Sequence, residues 1–205
     1  MNDLCVDIGY KSINKFGEQL CGDMVQIVRG DDATILVLAD GLGSGVKANI
    51  LSTLTSTIIS TMIAAQMTIE ECVSTIMETL PICSVRGVAY STFTIIKITN
   101  NTYAEIIQYD NPQVIFLRGG KHVDYETKSR VIAGKQILES KIELEQDDVF
   151  IAMSDGTIFA GVGETLNYGW QRENISEFAQ RIYSPTLSAK MMSTMILDEC
   201  DRLYQ

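Results

Sequence analysis

The chain has 205 residues, of which 46% are hydrophobic and only three are prolines, and it carries a formal net charge of −10. This composition predicts one globular domain over residues 1–205 and excludes extensive disorder. The negative charge argues against nucleic acid as a partner, because sequence-independent binding to phosphate backbones needs clustered Lys and Arg.

The cysteines and the apolar runs predict a cytoplasmic location. Five cysteines are scattered without close pairs, which favours reduced thiols over a disulfide framework or a zinc site. The sequence begins without a basic region followed by an apolar one, and no run of about 18 apolar residues could span a bilayer. We therefore expect no membrane partner.

The first half of the chain is predicted to form strands and then two helices. Residues 4–9 and 24–29 are predicted as short strands around a polar loop, and residues 33–39, apolar on both faces, as a strand inside a sheet. Beyond a glycine-rich turn, apolar residues recur at helical spacing at Leu51, Leu54, Ile58, Met62 and Ala65. The Ser and Thr residues between them are predicted to supply a polar face.

A second helix is predicted by Thr68-Ile69-Glu70-Glu71, which has the form of a capping box. Ile69, Val73, Ile76, Met77 and Leu80 give it an apolar stripe, and Pro81 is expected to end it. The connection to the preceding helix is short, so we expect the two helices to be antiparallel neighbours.

The second half of the chain predicts an antiparallel meander. Its strands are expected at 91–98, 103–109, 113–118, 142–144 and 149–153, with hairpin turns at Asn100-Asn101 and Gly119-Gly120. A final helix carries Met192, Ile196, Cys200 and Leu203 on one stripe. Strands in runs and helices in runs predict the α+β class, with helices layered on antiparallel sheet.

Two Asp-Gly pairs stand directly after apolar strands, Asp40-Gly41 and Asp155-Gly156. Asp-Gly is a common turn dipeptide, so either pair alone indicates only a turn. A carboxylate at the end of a buried strand, however, costs several kcal/mol unless it is paired or metal-bound. Gly22-Asp23 adds a third acid, and oxygen ligands of this kind suit Mg²⁺ or Mn²⁺ rather than zinc.

The order of the motifs resembles the metal-dependent protein phosphatases, the PPM or protein phosphatase 2C-like family. The closest resemblance is to the bacterial branch typified by stage II sporulation protein E. It covers nearly the whole chain and rests on Gly22-Asp23, the run from Ala39 to Gly45, the strand from Ala89 to Ile95, Asp110-Asn111-Pro112 and Ser154-Asp155-Gly156. The run from Gly41 to Gly45 lacks the Gly-Lys-Ser/Thr of a P-loop, so it is a weak nucleotide motif.

The resemblance implies a four-layer α/β/β/α sandwich of two antiparallel sheets flanked by antiparallel helices. It also implies hydrolysis of phosphoserine or phosphothreonine at a binuclear Mn²⁺ or Mg²⁺ centre, by attack of a metal-activated water and without a protein nucleophile. By position, Asp40 would bridge the metals, the Gly41 carbonyl would ligate one of them, Asp155 would ligate the other, and Asp23 would hold metal-bound water.

The same resemblance implies partners. The substrate would be a phosphorylated regulatory protein of the anti-sigma-factor-antagonist kind. The paired helices over residues 46–80 would act as a regulatory surface and as the contact of a homodimer.

One departure from the family pattern leaves an alternative open. The family usually carries an acidic Asp-Asp or Asp-Asn motif on a strand after the C-terminal helix, whereas Leu203-Tyr204-Gln205 still follow the helical pattern. Either the sequence is a piece of a longer chain, or the protein binds its metals weakly or not at all. The alternative function is therefore a pseudophosphatase or regulatory binding module; a phosphatase for small phosphoesters is a third.

Several other residues could have a functional role, but a structural interpretation is favoured for each. Lys47 and Arg86 are candidate phosphate contacts, with ordinary surface charge as the favoured interpretation. His122 is expected to be an exposed hairpin residue and Cys21 a structural thiol. The segment 167–170 is either a docking edge or, as favoured, an aromatic cover over the core through Trp170. Asp198 and Asp201 are assigned to a solvated helix face.

Overall fold

The computed structural model describes residues 4–15, 17–80, 91–163 and 166–204. The strands within these residues are β1 (Asp23–Arg29), β2 (Ala33–Gly41), β3 (Ser91–Thr99), β4 (Tyr103–Tyr109), β5 (Ile115–Arg118), β6 (Lys121–His122), β7 (Lys128–Ile132), β8 (Lys135–Glu143) and β9 (Asp148–Ile151). The helices are α1 (Gly45–Ala64), α2 (Ile69–Thr79), α3 (Asp155–Ile158), α4 (Arg172–Ile182) and α5 (Ala189–Tyr204).

The chain divides into two compact units. The large-sheet unit comprises Asn14–Asn111 and Glu126–Glu143, and the small-sheet unit comprises Met1–Ile13, Pro112–Tyr125 and Leu144–Gln205. The large sheet has the strand order β1-β2-β3-β4-β8-β7 and the small one β6-β5-β9, and the pairing is antiparallel throughout both. The predicted α+β class with two antiparallel sheets is confirmed. No helix in the described part of the chain is both long enough and apolar enough to cross a bilayer.

The core of the large-sheet unit lies between one face of its sheet and the two helices α1 and α2. Val37 of β2 and Ile95 of β3 are fully buried there, with Ile59 of α1 and Ile76 of α2. β2 lies between β1 and β3, as its continuous apolar run predicted.

Helix α1 buries a face that only partly matches the prediction. Leu51 is buried and Ile58 and Met62 are partly buried, as expected, but Leu54, also expected on the core stripe, is 46% exposed, and four Ser and Thr residues are buried. The buried polar residues are Ser52, Thr55, Ser56 and Ser60. Small side chains let a helix approach a sheet closely. The three serine hydroxyls donate to the carbonyl three residues earlier, at 3.1–3.2 Å, so their burial does not leave them without hydrogen bonds.

Helix α2 forms as its sequence predicted. Val73 and Ile76 are fully buried on its core face, and α2 contacts α1. The capping box is complete, because the Glu71 backbone N donates to Thr68 Oγ1 at 3.3 Å and the Thr68 backbone N donates to Glu71 Oε2 at 2.7 Å. Pro81, the predicted end of this helix, lies outside the described residues.

Thr68→Ala is expected to lower the free energy of unfolding by about 1 kcal/mol, because α2 loses the acceptor for an otherwise unsatisfied backbone N–H. Urea denaturation measures the change. Thr68→Ser keeps the hydroxyl and is the matched control, which we expect to unfold within about 0.5 kcal/mol of the wild type. Equal stability of the alanine and serine variants would contradict a contribution from the cap.

The small-sheet unit packs β5 and β9 against α4 and α5. Leu117 of β5, Ile175 of α4 and Ile196 of α5 are buried in its core. Trp170 is 7% exposed in the same core, which confirms that this residue covers the core. Helix α4 is absent from the sequence-based prediction. Its apolar residues are few, but Ile175, Phe178, Ala179 and Ile182 recur at helical spacing, so the sequence did contain the signal for this helix.

Three strand predictions need correction. Residues 4–9 form no strand, although Val6 and Ile8 are half-buried and Asp7 is exposed in the alternation typical of one. This segment attaches to α5 instead, where Asp7 Oδ2 accepts from the Ala189 backbone N at 2.7 Å. The strand expected at 142–144 is the end of the longer β8, and β6 and β7 are additional. Both are short or largely exposed, so they lack a clear apolar pattern.

Candidate metal centre

Asp23 and Asp40 lie side by side at one end of the β1–β2 hairpin. The antiparallel register pairs Asp23 directly with Asp40. Residues directly opposite each other in such a pair project to the same face, with their Cβ atoms roughly 5 Å apart. The register therefore brings together two of the three predicted acidic residues.

The loop before β1 is attached to the start of α1, and this holds Asp23 in place. The Gly41 backbone N donates to the Gly22 carbonyl at 3.1 Å. Asn49 Nδ2, in the first turns of α1, donates to the Cys21 carbonyl at 2.9 Å. Ser44 Oγ donates to Glu18 Oε1 at 2.7 Å. The loop, the end of β2 and the helix start thus form one hydrogen-bonded unit around the carboxylate pair.

Gly41 has no space for a side chain. A Cβ at this position would lie 2.0 Å from the Ala48 carbonyl oxygen and 2.6 Å from the Ala48 carbonyl carbon, both in the α1 backbone. Only glycine allows β2 and α1 to approach this closely. On the neighbouring strand, Ser91 Oγ donates to the Asp40 carbonyl at 2.9 Å, so the Asp40-Gly41 backbone is held from both sides.

Asp155, the third predicted acid, belongs to the small-sheet unit. It is the exposed first residue of α3, where the helix N-terminus favours a negative charge. The Tyr204 hydroxyl of α5 donates to the Gly156 carbonyl at 2.5 Å and ties α5 to this turn. Burial raises the pKa of Tyr204, with smaller contributions from Cys200 and Asp155, so the hydroxyl keeps its proton near neutral pH.

The residues of the Asp23–Asp40 pair fit a hard divalent cation. Like charges directly opposite each other destabilise a sheet, so a cation between these two carboxylates would stabilise the hairpin as well as bind. Carboxylate and backbone carbonyl oxygens are the ligands that Mg²⁺ and Mn²⁺ prefer. Over residues 4–15, 17–80, 91–163 and 166–204, no group of three or more His, Cys, Asp or Glu side chains is arranged to hold one ion.

The other residues considered in the sequence have the following places. Lys47 is exposed on the first turn of α1, as predicted, and Arg86 lies outside the described residues. His122 was predicted to be exposed, which is wrong: its side chain is 26% exposed, and its Nδ1 lies 3.2 Å from Ser176 Oγ of α4. Asp198 forms an ion pair with Lys11 and is 62% exposed, which confirms its place on a solvated face.

Three of the cysteines that the structure describes, Cys21, Cys72 and Cys200, show no feature of a catalytic thiol. Cys21 Sγ accepts a hydrogen bond from the Asp23 backbone N at 3.4 Å, so its contact supports the loop before β1. Burial raises the pKa of Cys72 and of Cys200 to about 11, and a neighbouring acid adds to each shift. These two thiols are therefore protonated at neutral pH and are poor nucleophiles.

Comparison with known proteins places the chain in a family. The sequence model of stage II sporulation protein E (SpoIIE) matches residues 30–205, which contain Asp40, Gly41 and Asp155. The chain belongs to the SpoIIE family. Asp23 precedes the matched range, so its association with Asp40 rests on the strand register alone. No curated protein sequence matches the chain significantly.

Solved structures show that the SpoIIE-family chain has the fold of PP2C-type phosphatases. The structure of the PP2C phosphatase domain with a fragment of the regulatory domain of SpoIIE from Bacillus subtilis superposes with a TM-score of 0.77 at 18% identity, over 95% of this chain and 57% of that one. The RsbU and RsbW domains of Rv1364c from Mycobacterium tuberculosis give 0.73 at 15% identity, over 92% and 54%. RsbX in complex with magnesium gives 0.63 at 20% identity, over 94% and 87%. The chain thus spans a little over half the length of the first two structures.

Sequence reasoning missed the residues that hold this site in place. These residues are Glu18, Asn49 and Ser91. The side chain of each forms a hydrogen bond to a backbone or hydroxyl group of another segment, and the partners are 26, 28 and 51 residues apart in the sequence. Such contacts leave no periodic signal in a single sequence. The one indication in the sequence is that polar residues, among them Ser91, interrupt the apolar pattern of strand β3.

Proposed function

We propose that this protein is a metal-dependent protein serine/threonine phosphatase that uses a binuclear Mn²⁺ or Mg²⁺ centre. The observation that carries the proposal is the register pairing of Asp23 with Asp40 beside the crowded Gly41 turn. Membership of the SpoIIE family supports phosphatase chemistry at this position. The RsbX structure contains magnesium, which supports a cation of this type.

The residues have distinct roles in this proposal. Asp40 and the Gly41 carbonyl would ligate metal, and Asp23 would orient the attacking water. The assignment of Asp155 as a further metal ligand rests on the family resemblance alone. Bound divalent cations would lower the pKa of that water and neutralise the phosphoryl oxygens. The hydrogen bonds from Ser91 to the Asp40 carbonyl and from Gly41 to the Gly22 carbonyl keep the Asp40 turn in one conformation, so that little rearrangement is needed on binding.

The substrate and location are part of the same proposal. We expect a cytoplasmic phosphorylated regulatory protein of the anti-sigma-factor-antagonist kind, in keeping with the SpoIIE family. A regulatory and homodimer role for residues 46–80 stays a prediction. Val46, Ile50 and Leu54 form an exposed apolar line along α1 within that range.

Removing and restoring the metal tests the proposal. After treatment with a chelator, the protein is expected to release no phosphate from a phosphoserine peptide, and added Mn²⁺ is expected to restore hydrolysis. The same assay with p-nitrophenyl phosphate separates a protein phosphatase from an enzyme for small phosphoesters. Binding of Mn²⁺ without turnover of either substrate would identify a binding module instead, and turnover that persists in the chelator would contradict metal dependence.

A further inference from the structure

The row of side chains that begins with Asp23 and Asp40 continues onto the third strand. Asp40 pairs in register with Thr92 of β3, so Thr92 projects to the same face as the two carboxylates. The row therefore contains two anionic groups followed by a neutral hydroxyl. A hydroxyl has one proton and two lone pairs. The hydrogen bond that Thr92 already makes elsewhere therefore decides whether it can donate or only accept beside the carboxylates.

The proton of Thr92 is already engaged. Its Oγ1 donates to Asn111 Oδ1 at 2.6 Å. Asp110, directly after β4, has a left-handed backbone with φ 53°, and this turn brings Asn111 beside β3. Because its only proton goes to Asn111, Thr92 can only accept a further hydrogen bond.

Buried partners hold Asn111 in this orientation. Asn111 Nδ2 donates to Thr94 Oγ1 at 3.2 Å, and Gln108 Nε2 donates to the same oxygen at 3.4 Å. Thr94 is fully buried and Gln108 is 3% exposed. In this arrangement Asn111 Nδ2 donates to Thr94, which leaves Asn111 Oδ1 to accept the Thr92 proton. Thr92 is therefore left as an acceptor for any further hydrogen bond.

We propose that Thr92 and Asn111 are positioning residues of the Asp23–Asp40 centre. Thr92 accepts a hydrogen bond from water held beside the two carboxylates, and Asn111 keeps the Thr92 hydroxyl turned to accept it. The inference rests on the proposed function. A row of oxygen atoms that only accept hydrogen bonds suits a hydrated cation, since the waters around Mg²⁺ or Mn²⁺ are donors, and such outer contacts orient ligands and tune affinity.

Calorimetric titration with Mn²⁺, in the absence of substrate, tests the inference. Thr92→Val removes the hydroxyl with little change of shape and is expected to weaken Mn²⁺ binding by about 10–100-fold. Thr92→Ser restores the hydroxyl and is expected to bind within about threefold of the wild type, far closer than Thr92→Val. Thr99→Val removes a hydroxyl at the far end of the same strand and is the matched control, expected to bind as the wild type does.

Asn111→Ala tests whether Asn111 acts through Thr92. Alone it is expected to weaken Mn²⁺ binding, but added to Thr92→Val it should cause no further loss, because the hydroxyl that it orients is already gone. Additive losses from the two substitutions would overturn the coupling. This variant also supplies the test if Thr92→Val does not fold, as judged by circular dichroism of the metal-free protein.

The outcomes separate this inference from the proposed function. If the wild type binds Mn²⁺ and Asp40→Asn does not, while Thr92→Val binds as tightly as the wild type, the inference is wrong and the metal centre stands. If the wild type itself binds neither Mn²⁺ nor Mg²⁺, the proposed function and the inference both fail.

Discussion

Asp40→Asn is expected to lower kcat/KM for Mn²⁺-dependent hydrolysis of a phosphoserine peptide by roughly 100-fold or more. Metal ions contribute several kcal/mol of charge stabilisation in the transition state, and each 1.4 kcal/mol corresponds to about tenfold in rate. Asparagine keeps the size of the side chain but removes the charge opposite Asp23.

Thermal unfolding gives a second readout for Asp40→Asn that does not depend on turnover. Without metal, the variant is expected to be at least as stable as the wild type, because the like-charge pair with Asp23 is gone. With Mn²⁺ at about 100 times its Kd, the wild type should gain roughly 2.7 kcal/mol, or a Tm rise of about 5–10 °C for a chain of this size. The variant should gain little.

Asp31→Asn is the matched control for Asp40→Asn. Asp31 is an exposed acid at the turn end of the same hairpin, away from the Asp23–Asp40 pair. It changes the net charge equally and is expected to leave both readouts unchanged. An Asp40→Asn protein that Mn²⁺ stabilises as strongly as the wild type would rule Asp40 out as a ligand.

Gly41→Ala is expected to lower the free energy of unfolding by roughly 1–3 kcal/mol, which corresponds to a Tm drop of about 2–12 °C. The added methyl group would lie 2.0 Å from the Ala48 carbonyl oxygen, so the start of α1 must move away from β2. That movement also displaces the turn carrying Asp40. We therefore expect the variant to lose most of the Mn²⁺-induced stabilisation of the wild type, which urea titrations with and without Mn²⁺ would measure.

Gly30→Ala separates crowding at Gly41 from a general effect of losing glycine. At Gly30 an added Cβ meets only the Ala33 carbonyl oxygen, at an ordinary 3.5 Å. This variant should unfold within about 0.5 kcal/mol of the wild type. A Gly41→Ala protein with the stability of Gly30→Ala would show that α1 adjusts to the methyl group without strain.

The sequence predicted the parts of the fold whose apolar pattern is strong. The continuous run in β2, the alternation in β3 and β4 and the capping box at Thr68 each correspond to the observed element. Helix α1 shows where the reasoning fails. Serine is usually solvent-facing, so a pattern of apolar residues alone locates only part of the buried face when a helix also buries serines against a sheet.

The candidate site was predictable in its acids but not in its supports. Asp23 and Asp40 stand at strand ends in the sequence, and antiparallel pairing then brings them together. Thr92 and Asn111 are 19 residues apart and meet only because β3 and β4 pair and the chain turns at Asp110. The pairing register of the strands determines such contacts, and this register is difficult to predict from a single sequence.

The β1–β2 turn has a consequence for how this protein tolerates insertions and deletions. Gly30 and Ala33 close a short loop with a 2.9 Å hydrogen bond, and the seven residue pairs that follow end at Asp23 and Asp40. Side chains alternate between the two faces of a strand. If an insertion or deletion of one residue in this loop shifted the β1–β2 register by one residue, Asp23 would therefore project to the face that packs on α1. An exposed loop at the far end of the hairpin is therefore under a length constraint set by the position of the Asp23–Asp40 pair.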